Sequence, residues 1–198
     1  MKCWRCQWEY GDTDFICPEC GALQAPRPNL SHFERLDIGQ SYHVDVGELA
    51  ERHRRLQRQF HPDRHASRSD MERRFSLEHA TALNDAFRVL KDPVKRAEYM
   101  IGLRGLDMTD ERNQVKLPPM FLMEMLELRE AIDELNGSDT HVERGRIEHD
   151  VASRYEGTLD ALGAGLDGTD ASIVVLAQYA AQLKYLKKIL DDLHALAD

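Results

Sequence analysis

The sequence predicts an all-α chain, with a small tetracysteine metal knob at the N-terminal end, a helical hairpin behind it and a C-terminal three-helix bundle. Three observations point there. After Ser31 no run alternates apolar and polar residues with the period of a strand, whereas apolar residues recur at helical spacing. Residues that start and stop helices bracket those stretches. All four cysteines fall within the first twenty residues. A length of 198 residues is enough to bury a sizeable core. No run approaches the roughly 18 apolar residues of a membrane helix, and Met1-Lys2-Cys3-Trp4-Arg5-Cys6 carries no apolar secretory core, so neither a spanning nor a secreted chain is expected. The formal charge of −9 disfavours general nucleic-acid binding. That charge is uneven: 17 basic and 16 acidic groups over residues 1–106 leave +1, and 9 against 19 over 107–198 leave −10, which marks a junction near residue 106.

The first element, residues 1–25, is read from the spacing Cys3-x2-Cys6-x10-Cys17-x2-Cys20. Each Cys-x2-Cys puts two thiolates on one tight turn, and two such turns close a tetrahedron around a metal ion. Pro18 and Gly21 suit the second turn. About 25 residues cannot build a sufficient core, and a structural zinc ion supplies on the order of 10–16 kcal/mol that becomes folding energy. Zinc is the expected cofactor, in one structural site; iron fits the same four-thiolate set. Disulfides, the competing use of four cysteines, are disfavoured without a secretory signal. Pro26 and Pro28 then predict an extended linker over 21–29.

Asp45 is the expected N-cap of a helix running to Phe60. Leu49, His53, Leu56 and Phe60 share one face of it, which leaves Arg54, Arg55 and Arg58 as a basic ridge on the other. Ser69-x-x-Glu72 is a capping box for a second helix that stops near Asp92, ahead of Pro93. Its stripe is Phe75, His79, Ala82, Leu83, Ala86 and Leu90, so the two helices pair as an antiparallel hairpin. Pro93 opens a shorter helix reaching Leu103. Between the hairpin helices stands His61-Pro62-Asp63. No nucleophile or second metal-ligating histidine lies at useful spacing from His61, so no catalytic residue is assigned and a non-enzymatic chain is expected.

A basic amphipathic helix, His61-Pro62-Asp63, an apolar-striped helix and then Lys91-Asp92-Pro93-x-x-Arg96-x-x-Tyr99 closely resemble the J-domain, with Ser31-His32-Phe33-Glu34-Arg35-Leu36 matching its short opening helix. The resemblance covers 31–104. It implies a co-chaperone that stimulates ATP hydrolysis by a DnaK-type chaperone, with His61, Pro62 and Asp63 docking on the chaperone and Arg54, Arg55 and Arg58 meeting an acidic surface there. The bland alternative for the arginines is a solvated face partnered by Glu51.

Residues 104–119 read as a second linker, followed by helices over about 119–136, 140–163 and 170–197, separated at Asn136-Gly137-Ser138 and Asp167-Gly168-Thr169. Short connections make these antiparallel neighbours, a bundle over 117–198. On the first, Phe121, Met125, Leu128, Ile132 and Leu135 form the inward face, and Leu122, Met123 and Leu126 point away from it alongside Glu130 and Asp133. A helix apolar on two faces is either fully buried or carries a binding patch. On the last helix Leu176, Ala180, Leu183, Leu190 and Leu193 face inward, with Tyr185 off that stripe.

A J-domain followed by an acidic bundle with Phe121-Leu122-Met123-Glu124-x-Leu126-Glu127-Leu128-Arg129-Glu130 resembles the HscB (Jac-type) co-chaperones of iron–sulfur cluster biogenesis. The resemblance implies that the bundle binds an IscU-type scaffold and delivers it to the chaperone HscA. By position, Leu122, Met123, Leu126, Glu127, Glu130 and Tyr185 match the family's scaffold-binding surface, Tyr185 standing where the bacterial pattern has Phe. The tetracysteine segment departs from the shortest members and is similar to that of longer, metal-bearing forms, including mitochondrial ones. A J-protein for another client, or an electron-transfer protein with iron in the cage, are the alternative readings. A bacterial cytoplasm is expected from the sequence as written, or a mitochondrial matrix for a processed organellar form.

Overall fold

A computed structural model describes residues 1–11, 14–113, 115–135 and 141–195, without the side chains of Glu111 and Leu135. The break read at Asn136-Gly137-Ser138 and the side chain of Leu135 therefore lie outside the described residues. The chain forms two compact units, Met1–Gln40 with Val44–Asp92, and Ser41–His43 with Pro93–Asp198.

In the first unit the knob is two copies of one small turn. Cys3 N–H donates to Trp8 O and Gln7 N–H to Cys3 O, at 2.9 and 3.0 Å; Cys17 and Gly21 repeat this with Ala22 O and Cys17 O, both at 2.9 Å. Isolated antiparallel bridges, Lys2 with Glu9 and Ile16 with Leu23, close the two loops. The residue after each Cys-x2-Cys has φ +65°, a conformation natural to Gly21 and strained for Gln7.

Helix α1 (His32–Arg35) starts with a capping box between Ser31 and Glu34. Helix α2 (Val46–Phe60) is capped by Asp45, whose side chain accepts from Glu48 N–H. The short α3 (Pro62–His65) carries Pro62 in its first turn, and α4 (Asp70–Lys91) opens on the Ser69/Glu72 capping box and ends at Asp92. Leu49, Phe60, Phe75, Leu83, Ala86 and Leu90 are buried between α2 and α4. His53, on the α2 inner face, stacks on Phe87 at 4.4 Å.

Where an extended linker was expected, Ala22, Leu23 and Gln24 are buried. Leu23 N–H donates to Glu72 Oε1 at 3.4 Å, Trp4 sits edge-on to Phe75 at 6.3 Å, and Phe15 sits edge-on to Phe60 at 5.8 Å. The knob adds its few apolar groups to the hairpin core, which answers the shortage of core that about 25 residues alone would have.

In the second unit α5 (Pro93–Leu103) packs on α7 (His141–Asp167) and α8 (Ile173–Ala195), and α6 (Pro119–Leu135) packs on α7. A 3-10 turn, Glu111–Asn113, lies in the segment before α6. The inner faces contribute Met125, Ile132, Ile147, Val151, Leu186, Ile189 and Leu193 to one core, with Phe121, Leu128 and Leu190 packed against it. The α8 stripe is thus wider than the spacing suggested, with Leu186 and Ile189 fully inside. Helix α7 runs to Asp167, past the expected end at 163. Two of its glycines are kept small by packing: a Cβ on Gly163 would lie 2.6 Å from Tyr42 Cδ1, and one on Gly165 would lie 2.6 Å from Leu176 Cδ2.

Asp167 accepts from Tyr42 N–H at 2.6 Å and Ser41 Oγ at 3.1 Å, and His43 Nδ1 lies 2.7 Å from it. Arg96 spreads over the Tyr42 ring at 4.9 Å. Arg104 donates to the carbonyls of Leu166 and Gly168, at 2.5 and 3.0 Å, satisfying the open C-terminal end of α7 with a cation. Lys184 and Glu98 pair across α8 and α5.

Candidate functional site

The four cysteine Sγ atoms lie within 4.8 Å of one another, with Cys3 to Cys20 and Cys6 to Cys17 both at 3.7 Å. A disulfide would need about 2.05 Å. A tetrahedral ion at about 2.3 Å from each sulfur sets neighbouring sulfurs about 3.8 Å apart, close to the two 3.7 Å separations, so this donor set fits such an ion. Cys3 and Cys17 are buried and Cys6 is exposed. Arg5 N–H and Gln24 Nε2 donate to Cys3 Sγ at 3.3 and 3.4 Å. Burial pushes the Cys3 thiol up, but the N–H groups of Cys6 and Arg5 and the neighbouring sulfurs outweigh it and bring it down to about 6. At Cys6 the Trp8 N–H pulls downward, while burial and the other three sulfurs push the thiol up to about 12. One thiolate forms readily and its neighbours then resist ionising; a divalent cation removes that conflict.

The second cluster is the turn at the end of α2. His61 is at once the C-cap of α2 and the N-cap of α3, and its Nδ1 accepts from Asp63 N–H at 3.2 Å. Its ring and the Asp63 carboxylate, 3.5 Å apart, are exposed. A groove lined by His53, Arg54, Gln57, Arg58, His61 and Arg64 runs from the turn along α2. Gln57 fixes its floor by donating to Asn84 Oδ1 at 2.7 Å and Ala80 O at 3.1 Å, both on α4. Arg54, Arg55 and Arg58 are all exposed. Among the described residues Arg54 and Arg58 form no ion pair, while Arg55 lies 3.8 Å from the Asp37 carboxylate. Arg64 was not singled out from the sequence. It follows Asp63 directly and donates to Arg58 O at 3.2 Å, which folds it back onto the groove.

The third cluster is on α6. Leu122, Met123 and Leu126 are 45%, 59% and 59% exposed, and Glu127 and Glu130 are exposed beside them. Met120, also missed, is 68% exposed; its spacing of three residues from Met123 was the available signal. Tyr185 on α8 is 43% exposed and edge-on to Phe121 at 6.3 Å, next in sequence to Leu122. Glu124 pairs with Arg154 of α7 at 2.8 Å and so fixes the rotation of α6.

Known proteins with these features are readily found. Residues 31–99 match the model of the DnaJ domain, and residues 117–194 match that of the HSCB C-terminal oligomerisation domain. The human iron–sulfur cluster co-chaperone protein HscB is 34% identical over 172 residues, covering 85% of this chain and 72% of its own. The co-chaperone protein HscB homolog of Shewanella loihica is 33% identical over 171 residues, 85% of this chain and 98% of its own. In structure, human HscB matches with a TM-score of 0.87 at 29% identity over 100% of this chain and 98% of that one; HscB from Vibrio cholerae matches at 0.75 and 28% over 85% and 98%.

Proposed function

This chain belongs to the HscB family of J-domain co-chaperones, which act in iron–sulfur cluster biogenesis by stimulating an Hsp70-type chaperone, and from that premise we propose how its surfaces divide the work. The surface formed by His61, Pro62, Asp63, Arg54, Arg55 and Arg58 docks on an HscA/DnaK-type ATPase. The α6 strip of Leu122, Met123 and Leu126, with Glu127, Glu130 and Tyr185, holds an IscU-type scaffold. The observation that carries this reading is that one chain exposes two faces of opposite chemistry, each on a rigid element: exposed arginines beside a proline-stiffened turn, and bare apolar side chains on a helix whose other face is packed.

Each face suits its task. Opposite charge speeds and orients encounter with the chaperone more than it adds affinity. Pro62 holds the turn in its docking conformation, so less entropy is lost on binding. On α6, burying a side chain gains at most about 1.5–3 kcal/mol, so three or four support moderate, releasable binding. Tethering both partners through one chain raises the effective concentration of scaffold at the ATPase.

Zinc is the ion we assign to the cage. The closed four-thiolate set leaves no position for substrate, which is the pattern of a structural site; the ion supplies cross-linking of the two turns. Elemental analysis should give one zinc per colourless chain, and a red protein with thiolate-to-iron absorption would overturn that assignment. For the division of work, the test is ATPase turnover of the cognate chaperone with this chain, the scaffold, or both. Synergy of the two is expected, with His61→Gln reducing stimulation to the basal rate while circular dichroism is unchanged; full stimulation by His61→Gln rejects the docking surface.

A further inference from the structure

The metal cage and the His61-Pro62-Asp63 turn are joined by an unbroken run of buried contacts. Gln24 Nε2 donates to Cys3 Sγ at 3.4 Å and to Ala22 O at 2.7 Å, and its Oε1 accepts from Trp4 N–H at 3.4 Å, so its placement is dictated by the first cysteine turn. Gln24 O accepts from His79 Nε2 at 2.9 Å. His79 is buried on α4 and stacks on Phe60 at 4.5 Å with the rings 15° from parallel. Phe15, two residues ahead of Cys17, stands edge-on to His79 at 5.0 Å and to Phe60 at 5.8 Å. Ser76 Oγ donates to Phe60 O at 2.7 Å. Phe60 is the last residue of α2, and the next residue is His61.

We infer that the metal cage buttresses the His61-Pro62-Asp63 turn, with Gln24 and His79 as positioning residues that relay the cage to Phe60. Two of the groups clamping the Phe60 ring depend on the knob: Phe15 belongs to it, and His79 donates its hydrogen bond to it. The turn is tied by Asp63 N–H to His61 Nδ1 at 3.2 Å, Arg64 N–H to His61 O at 3.0 Å and the Arg64 side chain to Arg58 O at 3.2 Å, none of which reaches past α2, so the plane of Phe60 sets the direction in which His61 leaves α2. Losing the ion frees the cysteine turns, then Gln24, then the ring that His79 presses on Phe60. Burial holds the His79 imidazole below its ordinary pKa, so the ring stays neutral and keeps one N–H for Gln24 O. The two observables, turn geometry and ATPase stimulation, are separable: only the second rests on the docking surface proposed above.

The experiment uses the full chain, zinc-loaded, then stripped with a thiol reductant and chelator, then reloaded. It reads the amide resonances of Asp63 and Arg64, the His61 ring resonances, and the chain concentration giving half-maximal ATPase stimulation. In the parent protein metal removal should shift the turn resonances and raise the half-maximal concentration about fivefold, at unchanged maximal rate, with zinc restoring both. His79→Phe retains the stack on Phe60 and loses the donor to Gln24. With one zinc still bound, it should show the raised concentration from the start, and metal removal should add less than about twofold. His79→Gln, which restores a donor, should recover part of the effect. Turn resonances that stay in place on metal removal, or a His79→Phe variant that responds to metal as the parent does, overturn the buttress. Full stimulation by His61→Gln instead overturns the docking surface and leaves the resonance arm to decide the buttress.

Discussion

The knob-and-hairpin unit and the bundle hold their exposed faces rigid by different means. The first has few large apolar side chains in its knob and relies on a four-thiol cage, aromatic edges and buried polar groups: Gln24, Glu72, Ser76 and His79 are all at most 4% exposed. The bundle relies on leucines and isoleucines from three helices, with its polar links at the rim. A cage is a single cooperative link that fails all at once, whereas an apolar core loses stability in proportion to the atoms removed. The faces inherit the contrast: the charged groove is sensitive to salt and to the shape of one turn, the apolar strip to area.

Five experiments press on that contrast. The largest effect should come from metal removal, since an ion worth on the order of 10 kcal/mol of folding energy is lost. Amide exchange protection should collapse over Ala22–Gln24 and the first half of α4 while α7 and α8 keep theirs; equal loss in both units would erase the distinction. Next, replacing Leu122, Met123 and Leu126 together by Ala should weaken scaffold binding about 100-fold in calorimetry, with helicity retained. Raising salt from about 0.05 to 0.5 M should change that binding less than about twofold and slow chaperone association about tenfold. Fourth, Gly163→Ala drives a methyl into the Tyr42 ring and should destabilise the bundle by about 1–3 kcal/mol in urea. The smallest is a pH effect. Asp167 is driven up by desolvation, yet the donors Tyr42 N–H, His43 and Ser41 hold its carboxyl below the ordinary 3.8. Its folded form therefore binds fewer protons than the unfolded one, so its contribution is complete above pH 3.8 and is lost as pH falls through the lowered value. Asp167→Asn should melt about 2–4 °C lower at pH 6 on the bundle transition, with the gap closing in acid.

Local signals made most helix ends legible. Asp45, Ser69 with Glu72, and Pro93 act through bonds spanning three residues or through their own φ, so the spacing alone carried α2, α4 and α5. The thiolate cage was legible for the same reason. The joining of knob to hairpin was not: Leu23 meets Glu72 and Gln24 meets His79 across 49 and 55 residues, and a glutamine or histidine at a stripe position looks like any other. The helix expected to end at 163 runs on to Asp167, because sequence shows the low helix propensity of Gly163 and Gly165 and hides the Tyr42 ring and Leu176 that they pack against. On α6 the strip of Leu122, Met123 and Leu126 followed from its angle to Phe121, whereas Met120 sits in the first turn, where a stripe has only just begun.

The excursion at Ser41–His43 has a practical edge. Residues on both sides of it belong to the knob-and-hairpin unit, yet Tyr42 is 5% exposed within the other. Scission at Asp92–Pro93 thus severs the polypeptide without liberating an intact C-terminal half: it leaves a vacant niche over Gly163, strips the aromatic lid from Arg96 and deprives Asp167 of all three donors. Any minimal fragment meant to capture scaffold has to be given that tripeptide back.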